Sequence, residues 1–530
     1  MNEVTGTVTN TEVKIALAGR IDSANASAAE GEISSFVTGN ESLPLIIDAA
    51  ALQYISSAGL RVILHLKKSC ADLRIINVSS EVYDILEMTG FTEMMTVEKA
   101  YRVVSVEGCE EIGRGANGTI YRIDKDNVVK VYNNPDALED IRHEREVAKL
   151  ALILGIPTAI SYDVVKVGDS YGSVFELLNA RSFSKILATE PDKFDVCVKE
   201  YVTMLRKIHD TVVPAGKLPD MKETVQDWAA FVKEHLPAEA GEKLVALVDA
   251  VPHDDHMIHG DYHTKNLELQ NGEVLLIDMD TLAVGHPVFE WGSIFNAFIG
   301  FSEADHETIR RFQGFDFETG SRFFHDALAA YLGTADEAAV SKAADKARII
   351  GYTRLIRRAI RRGEDATEQG AAALAMWKRE LIELLERTDT LLFLRNEFET
   401  DAETEALTDV LGFIEAHLDE IGCPAKTKMQ ITVAAEEIFV NIAHYAYAPG
   451  KGKALVRVET AEDPRAVTIT FTDSGKPFDP TKRDDPDVSL PASEREIGGL
   501  GIFMTKKIMD EVSYVYADGE NRLTMRKVLA

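Results

Sequence analysis

The sequence predicts a multidomain protein that combines α/β and α+β folds. At 530 residues the chain exceeds what one hydrophobic core usually organises, so about three or four domains are expected. The pattern of apolar residues also changes twice along the chain, near residues 100 and 390. We therefore predict three domains, at residues 1–100, 101–390 and 391–530.

The composition favours a protein of a reducing cytoplasm. The formal net charge of −30 should repel nucleic acid and anionic lipid, so protein partners and small ligands are expected instead. The start of the chain lacks a basic region followed by an apolar run, and no later segment is apolar for long enough to suggest a membrane span. The four cysteines have neither metal-ligand nor disulfide-framework spacing: Cys70, Cys109, Cys197 and Cys423.

Each block has its own pattern of elements. The first alternates strand-like runs (TEVKIALAG, LPLIIDAA, DLRIINVS) with helical ones such as LRVILHLKK, which predicts a small α/β domain. The second begins with strands and continues with long helical segments, including VCVKEYVTMLRKIHD and ARIIGYTRLIRRAIRR, which predicts a two-lobed domain. The third reads as helices from LFLRNEFETDAETEALTDVL onward, a strand pair (ALVRVET, AVTITFTDS), a polar loop, a helix and a last strand, RLTMRKVL.

The octapeptide HGDYHTKN, residues 259–266, concentrates side chains that transfer protons or bind metals. By residue type alone it could be a metal site, an acid/base pair or a phosphoryl-transfer loop. More distant residues are needed to choose between these alternatives. Its polar members are His259, Asp261, His263, Lys265 and Asn266.

A glycine-rich segment upstream favours phosphoryl transfer. IGRGANGTIYRIDKDNVVKVY places Gly113, Gly115 and Gly118 in a GxGxxG pattern, and the following strand carries Lys130. Glycines let a hairpin approach a triphosphate closely, and a lysine on the next strand can neutralise phosphate charge. The pattern alone is equally typical of a surface hairpin, but the helix HEREVAKLALILG offers Glu146 as a partner for Lys130.

A strand after the octapeptide, EVLLIDMD, contains Asp278 and completes a series. In chain order the series is a glycine loop, a lysine, a glutamate, an aspartate with an asparagine five residues later, and a strand-end aspartate. It resembles the protein-kinase-like phosphotransferases, particularly the aminoglycoside phosphotransferase and choline kinase branch, in which HGD stands where protein kinases have HRD. The resemblance covers most of residues 105–385 and implies a bilobal domain that uses ATP and Mg²⁺, with Lys130 on the nucleotide phosphates.

The same resemblance implies further roles. Asp261 would accept or orient the proton of the substrate hydroxyl, while Asn266 and Asp278 would hold Mg²⁺. The backbone from Glu176 to Leu178, in VFELLNA, would receive the adenine. We therefore expect a second substrate, a compound or protein with a free hydroxyl group.

Two alternatives for this domain stay open. His259 and His263 with nearby carboxylates could bind a metal, although a short-range His/Cys repetition is missing and His259 fits a loop-supporting role better. The domain could also be a pseudokinase that binds nucleotide without transfer. The acceptor is not encoded in a recognisable motif, since helices after residue 285 would shape its pocket and no APE-like segment indicates a protein substrate.

The helical pattern MQITVAAEEIFVNIAHYAY carries a carboxylate and an amide beside its core face. Glu437 and Asn441 are four residues apart and share that neighbouring face. Together they could activate a hydroxyl and bind Mg²⁺, although such a pair alone is more often a solvated stripe. The expected core face comprises Ile431, Ala435, Ile438, Ile442 and Tyr445.

Two later segments favour a nucleotide site. TFTDSGKPFDP places Asp473 and Gly475 at a strand end, where a buried aspartate can accept a hydrogen bond from an adenine amino group. EIGGLGIFMTKKIMDEV sets Gly498, Gly499 and Gly501 before a helix, and backbone amides at a helix N-terminus favour phosphate. The three segments together therefore predict a second ATP site.

This trio resembles the Bergerat-fold ATPases shared by histidine kinases, gyrase and the anti-sigma serine kinases. The sequence GGLGIFMTKKIMDEVSY, followed by the strand NRLTMRKVL, resembles the anti-sigma serine kinase branch. This resemblance implies an α/β sandwich over residues 395–530. By this resemblance Glu437 is the general base, Asn441 is the Mg²⁺ ligand, Asp473 contacts adenine, and residues 476–497 form an ATP lid.

A histidine kinase is the alternative within that superfamily. It would need a phosphoacceptor histidine on a dimerisation hairpin just upstream of the ATPase domain. Residues 391–430 contain only His417, which we expect to be an exposed helix residue.

The stretch IIDAAALQYISSAGLRVIL runs from a buried strand through a turn into a helix that begins near Ser56 and Ser57. An N-cap is the usual role of such a serine, but a phosphate there would also meet the positive end of the helix dipole and add charge to a surface. With LAGRIDSANA and EMTGFTEMMTVEKA, the stretch resembles the STAS domain of anti-sigma factor antagonists over residues 1–100. The resemblance maps the phosphorylated serine to Ser57, while Ser56 stands where the family often has aspartate.

These resemblances predict ATP-dependent phosphoryl transfer in a bacterial partner-switching system. The C-terminal domain is expected to phosphorylate Ser57, in this chain or another, with STAS-domain or sigma-factor-like proteins as partners, while the middle domain adds a second phosphotransferase. Tethering would raise the effective concentration of kinase and substrate. One alternative is a kinase of small hydroxyl compounds in which Asp261 is the catalytic residue. The other is a scaffold that senses nucleotide without transferring phosphate. A homodimer through the C-terminal domain fits the resemblance as well.

Overall fold

The computed structural model describes residues 3–115, 117–482 and 500–529. The chain divides into two compact units. Unit 1 comprises residues 1–145 and 160–177, and unit 2 comprises residues 146–159 and 178–530. Over the described ranges, no helix is both long and apolar enough to cross a bilayer.

Unit 1 begins with the predicted small α/β domain. Its five-stranded sheet has the order β1-β2-β3-β4-β5, in which β1 and β2 are antiparallel and the other neighbours are parallel. Ile15, Ile47 and Ile75 fill the core from adjacent central strands, where they are at most 2% exposed. The elements are β1 (Glu3–Val8), β2 (Val13–Ile21), α1 (Ala26–Val37), β3 (Leu45–Ile55), α2 (Ser57–Ser69), β4 (Leu73–Val78), α3 (Ser80–Met88), α4 (Phe91–Met94) and β5 (Thr96–Lys99).

The rest of unit 1 is a six-stranded sheet with the first half of one long helix, α5, whose residues from 146 onward belong to unit 2. The strand order is β6-β10-β11-β9-β8-β7, and β6, just after the α/β domain, joins this sheet by parallel pairing with β10. Buried valines on β9, β10 and β11 form a small core of their own. The elements are β6 (Arg102–Val103), β7 (Glu110–Arg114), β8 (Gly118–Arg122), β9 (Asn127–Tyr132), α5 (Leu138–Ile153), β10 (Asp163–Val167) and β11 (Ser170–Glu176).

The first part of unit 2 is helical, with short strand pairs between the helices. Its large core surrounds α10, in which every residue from 288 to 298 is buried. The elements are β12 (Arg181–Ser182), α6 (Phe183–Thr189), α7 (Phe194–His209), α8 (Met221–Lys233), α9 (Ala238–Asp249), β13 (Met257–Ile258), β14 (Leu267–Gln270), β15 (Glu273–Leu276), β16 (Ala283–Val284), α10 (Pro287–Phe298), α11 (Glu307–Gln313), α12 (Phe317–Leu332), α13 (Glu337–Arg362) and α14 (Glu368–Arg387).

The second part of unit 2 is a five-stranded antiparallel sheet with three helices. The strand order is β17-β18-β19-β21-β20. The sequence patterns wrongly predicted helix over β17 and missed β20, because both are edge strands and neither carries a buried apolar run. The elements are β17 (Glu397–Asp401), α15 (Leu407–Glu420), α16 (Ala425–Asn441), β18 (Lys453–Glu462), β19 (Arg465–Asp473), α17 (Leu500–Ile508), β20 (Glu511–Ala517) and β21 (Glu520–Val528).

Two expectations about C-terminal side chains are wrong. His417 is buried rather than exposed, and its Nε2 lies 2.9 Å from the carbonyl oxygen of Arg395. Tyr445 is 69% exposed rather than part of the core face. The cause is a π-helical turn, Ile442–Ala446, which follows α16 and shifts the residues after Ile442 off the regular helical period.

A buried connection joins the two parts of unit 2. Phe393 is 4% exposed and lies in the helical core, with its ring 6.0 Å from that of Trp291. Two residues later, Arg395 donates to Asp210 Oδ1 at 2.5 Å, and its guanidinium lies over the ring of Tyr331. The segment between α14 and β17 is therefore anchored in the core rather than acting as a loose linker.

His286 makes the stability of unit 2 depend on pH. It is buried, and its Nδ1 accepts the Val288 N–H at 3.2 Å, which caps α10. Burial lowers the pKa of His286 from 6.5 to about 4; the charge of Asp254 opposes this shift, and His209 and Lys346 add to it. Between these two pH values the unfolded chain binds a proton that the folded chain excludes.

We therefore expect the contribution of His286 to be fully present above pH 6.5 and to be lost as the pH falls toward 4, by about 3 kcal/mol. His286→Asn keeps an acceptor for the cap without a titrating group, so it should flatten this slope. Urea denaturation at a series of pH values measures it. An identical slope in the wild type and in the variant would contradict the assignment.

Candidate functional sites

The predicted phosphoacceptor Ser57 is the first residue of α2. Its side chain is exposed and has no hydrogen-bond partner among the described residues. The neighbouring Ser56 is the N-cap, because its Oγ accepts the Ala58 N–H at 3.2 Å. The N-cap role and the phosphoacceptor role that the sequence suggested therefore fall to different serines. Ser56 satisfies the helix end, and Ser57 leaves a free hydroxyl at the positive end of the helix dipole.

The glycine of the SSAGL stretch lets this helix approach the sheet. A Cβ on Gly59 would lie 2.7 Å from a side-chain carbon of Ile55 and 2.9 Å from one of Ile21. Both isoleucines belong to the core of the α/β domain. Close packing at Gly59 therefore fixes the start of α2, and Ser57 with it, against the carboxyl ends of the neighbouring strands β2 and β3.

The glycine hairpin and Lys130 lie on neighbouring strands of unit 1. Gly113 is on β7 and Gly118 is on β8, while the Gly115 N–H donates to the Gly118 carbonyl at 2.9 Å. Lys130, on β9, donates to the two carboxylate oxygens of Glu144 at 3.0 and 3.1 Å. The predicted combination of a glycine hairpin and an acid-paired lysine is therefore present in this sheet.

The acidic partner of Lys130 is Glu144, so the assignment to Glu146 is corrected. Tyr132 Oη also donates to Glu144 Oε2, at 2.6 Å, which leaves the Glu144 side chain only 12% exposed. Glu146 is exposed, because residues two apart on a helix point in very different directions. The buried residues Ile141 and Ala148 lie three residues before and four residues after Glu144, so helical periodicity could have identified it.

The segment predicted to receive adenine lies where the chain passes between the units. Glu176 is exposed at the end of β11, opposite Asn127 on β9. The Leu177 N–H donates to the Asp126 carbonyl at 2.7 Å. Leu178, half-buried, is the residue at which unit 2 resumes. An adenine contact by this segment stays a prediction.

In unit 2, Glu290 on α10 holds the backbone of the HGD segment. Its carboxylate is fully buried and accepts the N–H of His259 and, at 3.1 Å, the N–H of Gly260. His209 Nε2 lies 3.9 Å from the same carboxylate. From the other side, Thr281 Oγ1 donates to the His259 carbonyl at 2.7 Å. His259 itself is buried, which agrees with a loop-supporting position for its ring.

Asp261 is placed as an ionised carboxylate. His263 Nε2 lies 3.5 Å from Asp261 Oδ2. Burial opposes ionisation, but the hydrogen bond and charge of His263, with the charges of Arg354 and His259, outweigh it and hold the pKa of Asp261 below its usual value. An ionised carboxylate can orient a hydroxyl group and accept its proton, but it cannot donate one.

Asn266 and Asp278 flank the same end of a hairpin. Asn266 precedes β14 and Asp278 follows β15, and these two strands pair with each other. Asn266 Nδ2 donates to the Asp261 carbonyl at 3.1 Å, which ties the loop to the hairpin. Asp278 has a φ of +64°, a backbone conformation that side-chain-bearing residues rarely adopt and that clusters at functional sites. Amide and carboxylate oxygens are the ligands that Mg²⁺ prefers.

In the C-terminal part, Glu437 and Asn441 occupy the last turn of α16. Both are half-buried, and Asn441 Nδ2 donates to the Glu437 carbonyl at 2.6 Å. Within the described ranges, neither the Glu437 carboxylate nor Asn441 Oδ1 has a hydrogen-bond partner. A carboxylate and an amide oxygen are thus available together, as the predicted general base and Mg²⁺ ligand require.

Gly501 packs directly against the Glu437 carboxylate at the start of α17. A Cβ added at Gly501 would meet this side chain, with Glu437 Cδ at 2.6 Å. The end of a glutamate can swing aside, so Gly501→Ala should cost little stability but displace the proposed base. We expect serine phosphorylation to slow by about a hundredfold with little change in Tm.

Gly412→Ala is the matched control for this substitution. Gly412 lies in α15 with no atom within 4 Å of an added Cβ, so its replacement should leave the rate unchanged. Phosphorylation kinetics and thermal unfolding of both variants measure the effect. An unaltered rate in Gly501→Ala would contradict a catalytic position for Glu437.

Asp473 is buried at the end of β19, and the last strand positions it. Its Oδ1 accepts the Gly475 N–H at 2.9 Å and Asn521 Nδ2 at 2.8 Å, which leaves Oδ2 for another donor. Asn521 Oδ1 in turn accepts the Tyr514 hydroxyl at 2.5 Å and the Phe478 N–H at 3.4 Å. Asn521 therefore fixes both the predicted adenine contact and the chain that follows it.

Part of the predicted site lies outside the described residues. Gly498, Gly499 and residues 483–497 of the predicted lid belong to this part. The first lid residue, Lys476, is described, and its N–H donates to the Ala446 carbonyl at 2.8 Å.

Comparison with known proteins assigns each block to a family. Residues 3–104 match the STAS domain, residues 108–331 match the phosphotransferase enzyme family, and residues 400–527 match the histidine kinase-like ATPase domain.

Two relatives come from Bordetella bronchiseptica. "Serine/threonine-protein kinase BtrW" is 27% identical over 139 residues, which cover 26% of this chain and 92% of that protein. "Putative anti-sigma factor antagonist BtrV" is 34% identical over 85 residues, which cover 15% of this chain and 72% of that protein.

Among solved structures, the ADP-bound aminoglycoside phosphotransferase APH(2'')-Ib matches with a TM-score of 0.38 and 14% identity, over 58% of this chain and 99% of that one. The family assignments rest on the sequence matches. The chain joins a STAS domain of the anti-sigma factor antagonist type, a domain of the phosphotransferase enzyme family and a histidine kinase-like ATPase domain in one polypeptide.

Proposed function

We propose that this chain is an ATP-dependent serine kinase of a partner-switching system, in which the C-terminal domain phosphorylates Ser57 or the equivalent serine of another antagonist. The observation that carries the proposal is the fusion of a STAS domain with a histidine kinase-like ATPase domain. Separate relatives named as a serine/threonine kinase and an anti-sigma factor antagonist support the pairing. The proposed partners are STAS-domain or sigma-factor-like signalling proteins.

The chemistry of the acceptor supports this function. The Ser57 hydroxyl is exposed and free of hydrogen bonds among the described residues, while Ser56 already caps the helix. Phosphorylation would add a charge of about −2 at the positive end of α2. New negative charge on this exposed surface would change which partner the α/β domain binds.

The residues of the C-terminal site fit an ATP-dependent transfer. Mg·ATP would supply the γ-phosphoryl group: the serine oxygen forms the new bond to the γ-phosphorus as the bond from that phosphorus to ADP breaks, ADP leaves, and Glu437 accepts the proton of the serine hydroxyl. Asn441 would hold Mg²⁺ through its Oδ1, which has no hydrogen-bond partner among the described residues. Asp473 would accept a hydrogen bond from the adenine amino group through Oδ2, since Asn521 and Gly475 occupy Oδ1.

The middle domain is proposed to be a second phosphotransferase. The ionised carboxylate of Asp261, held on a loop whose backbone Glu290 fixes, favours this over a pseudokinase. Asn266 and Asp278, at one end of a hairpin, fit the Mg²⁺ ligands of such a site. We further propose a cytoplasmic protein and a homodimer through the C-terminal domain.

Phosphosite mapping tests the main proposal. Wild-type, Glu437→Ala and Asp261→Ala proteins are incubated with Mg·ATP and digested, and the phosphopeptides are identified by mass spectrometry. Phosphate on Ser57 that is lost with Glu437→Ala and kept with Asp261→Ala is the expected result. Loss only with Asp261→Ala would favour the middle domain as the Ser57 kinase. Nucleotide binding without any phosphopeptide or phosphorylated compound would favour the sensing scaffold.

A further inference from the structure

The end of α13 is strongly basic in an otherwise acidic chain. The segment RLIRRAIRR, residues 354–362, contains five arginines, whereas the whole chain has a net charge of −30. Three of these side chains lie over aromatic rings of unit 2. Arg354 lies 5.7 Å from the ring centre of Trp228, Arg358 lies 5.0 Å from that of Phe301, and Arg361 lies 5.2 Å from that of Phe231.

Arg354, the first of the five, lies beside the HGD segment. Its Nη1 donates to Ser293 Oγ at 2.8 Å, and Ser293 is itself buried on α10. Glu290, three residues earlier on the same helix, accepts the Gly260 N–H at 3.1 Å. Residues three apart on a helix are neighbours, so adjacent positions of α10 hold the guanidinium of Arg354 and the backbone before Asp261. The charge of Arg354 also helps to lower the pKa of Asp261.

The positive charge of Arg354 is not neutralised by an ion pair. Over the described ranges, no carboxylate lies within 4.0 Å of Arg354, whereas Arg358 meets Glu364 at 3.4 Å. Ser293 and the ring of Trp228 hold the guanidinium in place while leaving most of its N–H donors unused. A fixed, half-buried guanidinium with spare donors is an anion-binding group.

We propose that the middle domain phosphorylates a small hydroxyl compound that carries a carboxylate or phosphate group, and that Arg354 binds this anionic group beside Asp261. The inference rests on the proposed phosphotransferase activity and names its substrate class. A guanidinium binds planar or tetrahedral oxyanions through paired N–H donors. The same charge repels polycationic acceptors such as aminoglycosides, so these are not expected substrates.

Chemical protection tests the binding role directly. The full chain is treated with phenylglyoxal in saturating Mg·ADP, which keeps anions away from the phosphate positions of the nucleotide sites, and modification of Arg354 is followed by mass spectrometry. We expect 3-phosphoglycerate to slow modification at least about fivefold, with no effect of glycerol or kanamycin. Arg61, exposed on α2, is the internal reference. Equal modification with and without the anion, or protection by kanamycin, would overturn the proposal.

Equilibrium dialysis with labelled 3-phosphoglycerate gives a second readout. Arg354→Gln should weaken binding of 3-phosphoglycerate at least about tenfold. The affinity of Arg354→Lys should lie between those of the wild type and Arg354→Gln, because lysine keeps the charge but not the paired donors. Arg361→Gln, on the same basic stretch, is the matched control and should bind like the wild type. An equal loss in both glutamine variants would assign binding to the diffuse charge of the helix and contradict a site at Arg354.

Neither measurement requires turnover, so the two proposals fail separately. Anion binding at Arg354 without transfer to any hydroxyl compound would keep the binding role of Arg354 and contradict the phosphotransferase activity on which the substrate assignment rests. Transfer to a neutral hydroxyl compound, with no anion binding at Arg354, would support the phosphotransferase activity and contradict this inference. Protection of Arg354 by adenylyl imidodiphosphate, with no further effect of 3-phosphoglycerate, would place Arg354 on the nucleotide phosphates and contradict the inference.

Discussion

The Glu290→Ala variant is expected to lose about 3 kcal/mol of stability in unit 2 together with all Asp261-dependent activity. The fully buried Glu290 carboxylate accepts the backbone N–H groups of His259 and Gly260. Alanine would leave two buried donors without an acceptor and a cavity beside His209. Urea denaturation followed by circular dichroism measures the loss.

Glu290→Gln separates the hydrogen bonds from the charge. Glutamine keeps one acceptor oxygen at nearly the same volume, so it should lose clearly less stability than alanine. Because the free energy of a buried hydrogen bond to a charged group exceeds that of a neutral one, some loss is still expected. Equal stability of the alanine variant and the wild type would show that this carboxylate does not support the HGD segment.

Replacing Asp261 by asparagine is expected to lower ATP turnover by the middle domain by about a hundredfold or more. Asparagine keeps the size of the side chain and its contact with His263 but cannot accept a proton. The measurement uses a Glu437→Ala background, so that the C-terminal site contributes nothing, and follows formation of ADP from Mg·ATP, which accompanies transfer to any hydroxyl group. His263, with its Nε2 3.5 Å from the carboxylate, should contribute less.

His263→Gln is the matched comparison for this loss. If His263 only helps to keep Asp261 ionised, glutamine should lower turnover less than Asp261→Asn does and should shift the acid limb of the pH profile upward. Turnover that is unchanged in Asp261→Asn would contradict the proposed role of this carboxylate. Nucleotide binding by the middle domain without any turnover, already in the Glu437→Ala parent, would support the pseudokinase alternative.

Sequence patterns predicted the elements that bury apolar residues and missed those that do not. The central strands β2, β3 and β4, with Ile15, Ile47 and Ile75, carry clear apolar runs and were found. The edge strands β17 and β20 contain no buried residue, so β17 was predicted as helix and β20 was missed. The error at Tyr445 has another origin. The apolar periodicity of the sequence does not predict the π-helical turn that follows α16.

Motifs predicted which residues form the candidate sites, but not the residues that support them. Glu144 was missed in favour of Glu146, although the core face of α5 contained the information. Asn521 could not be found from the sequence, because only the pairing of β19 with β21 places it opposite Asp473. Arg354 likewise depends on α13 packing near Ser293. Local patterns encode a motif, whereas its support depends on tertiary contacts.

The most direct test of the central claim is transfer of phosphate to Ser57 between two chains that each lack one part of the reaction. A Ser57→Ala chain, with an intact C-terminal site, is mixed with a Glu437→Ala chain, with an intact acceptor, in the presence of Mg·ATP. Mass spectrometry then quantifies phosphoserine at position 57. We expect phosphate on the Glu437→Ala chain only when its complement is present, at a level that rises with the concentration of the Ser57→Ala chain.

A wild-type chain incubated alone completes this measurement. Phosphate on Ser57 of the wild type with none in the mixture would indicate transfer within one chain and still agree with the central claim. If Ser57 is unphosphorylated both in the wild type and in the mixture although nucleotide is bound, the central claim is contradicted.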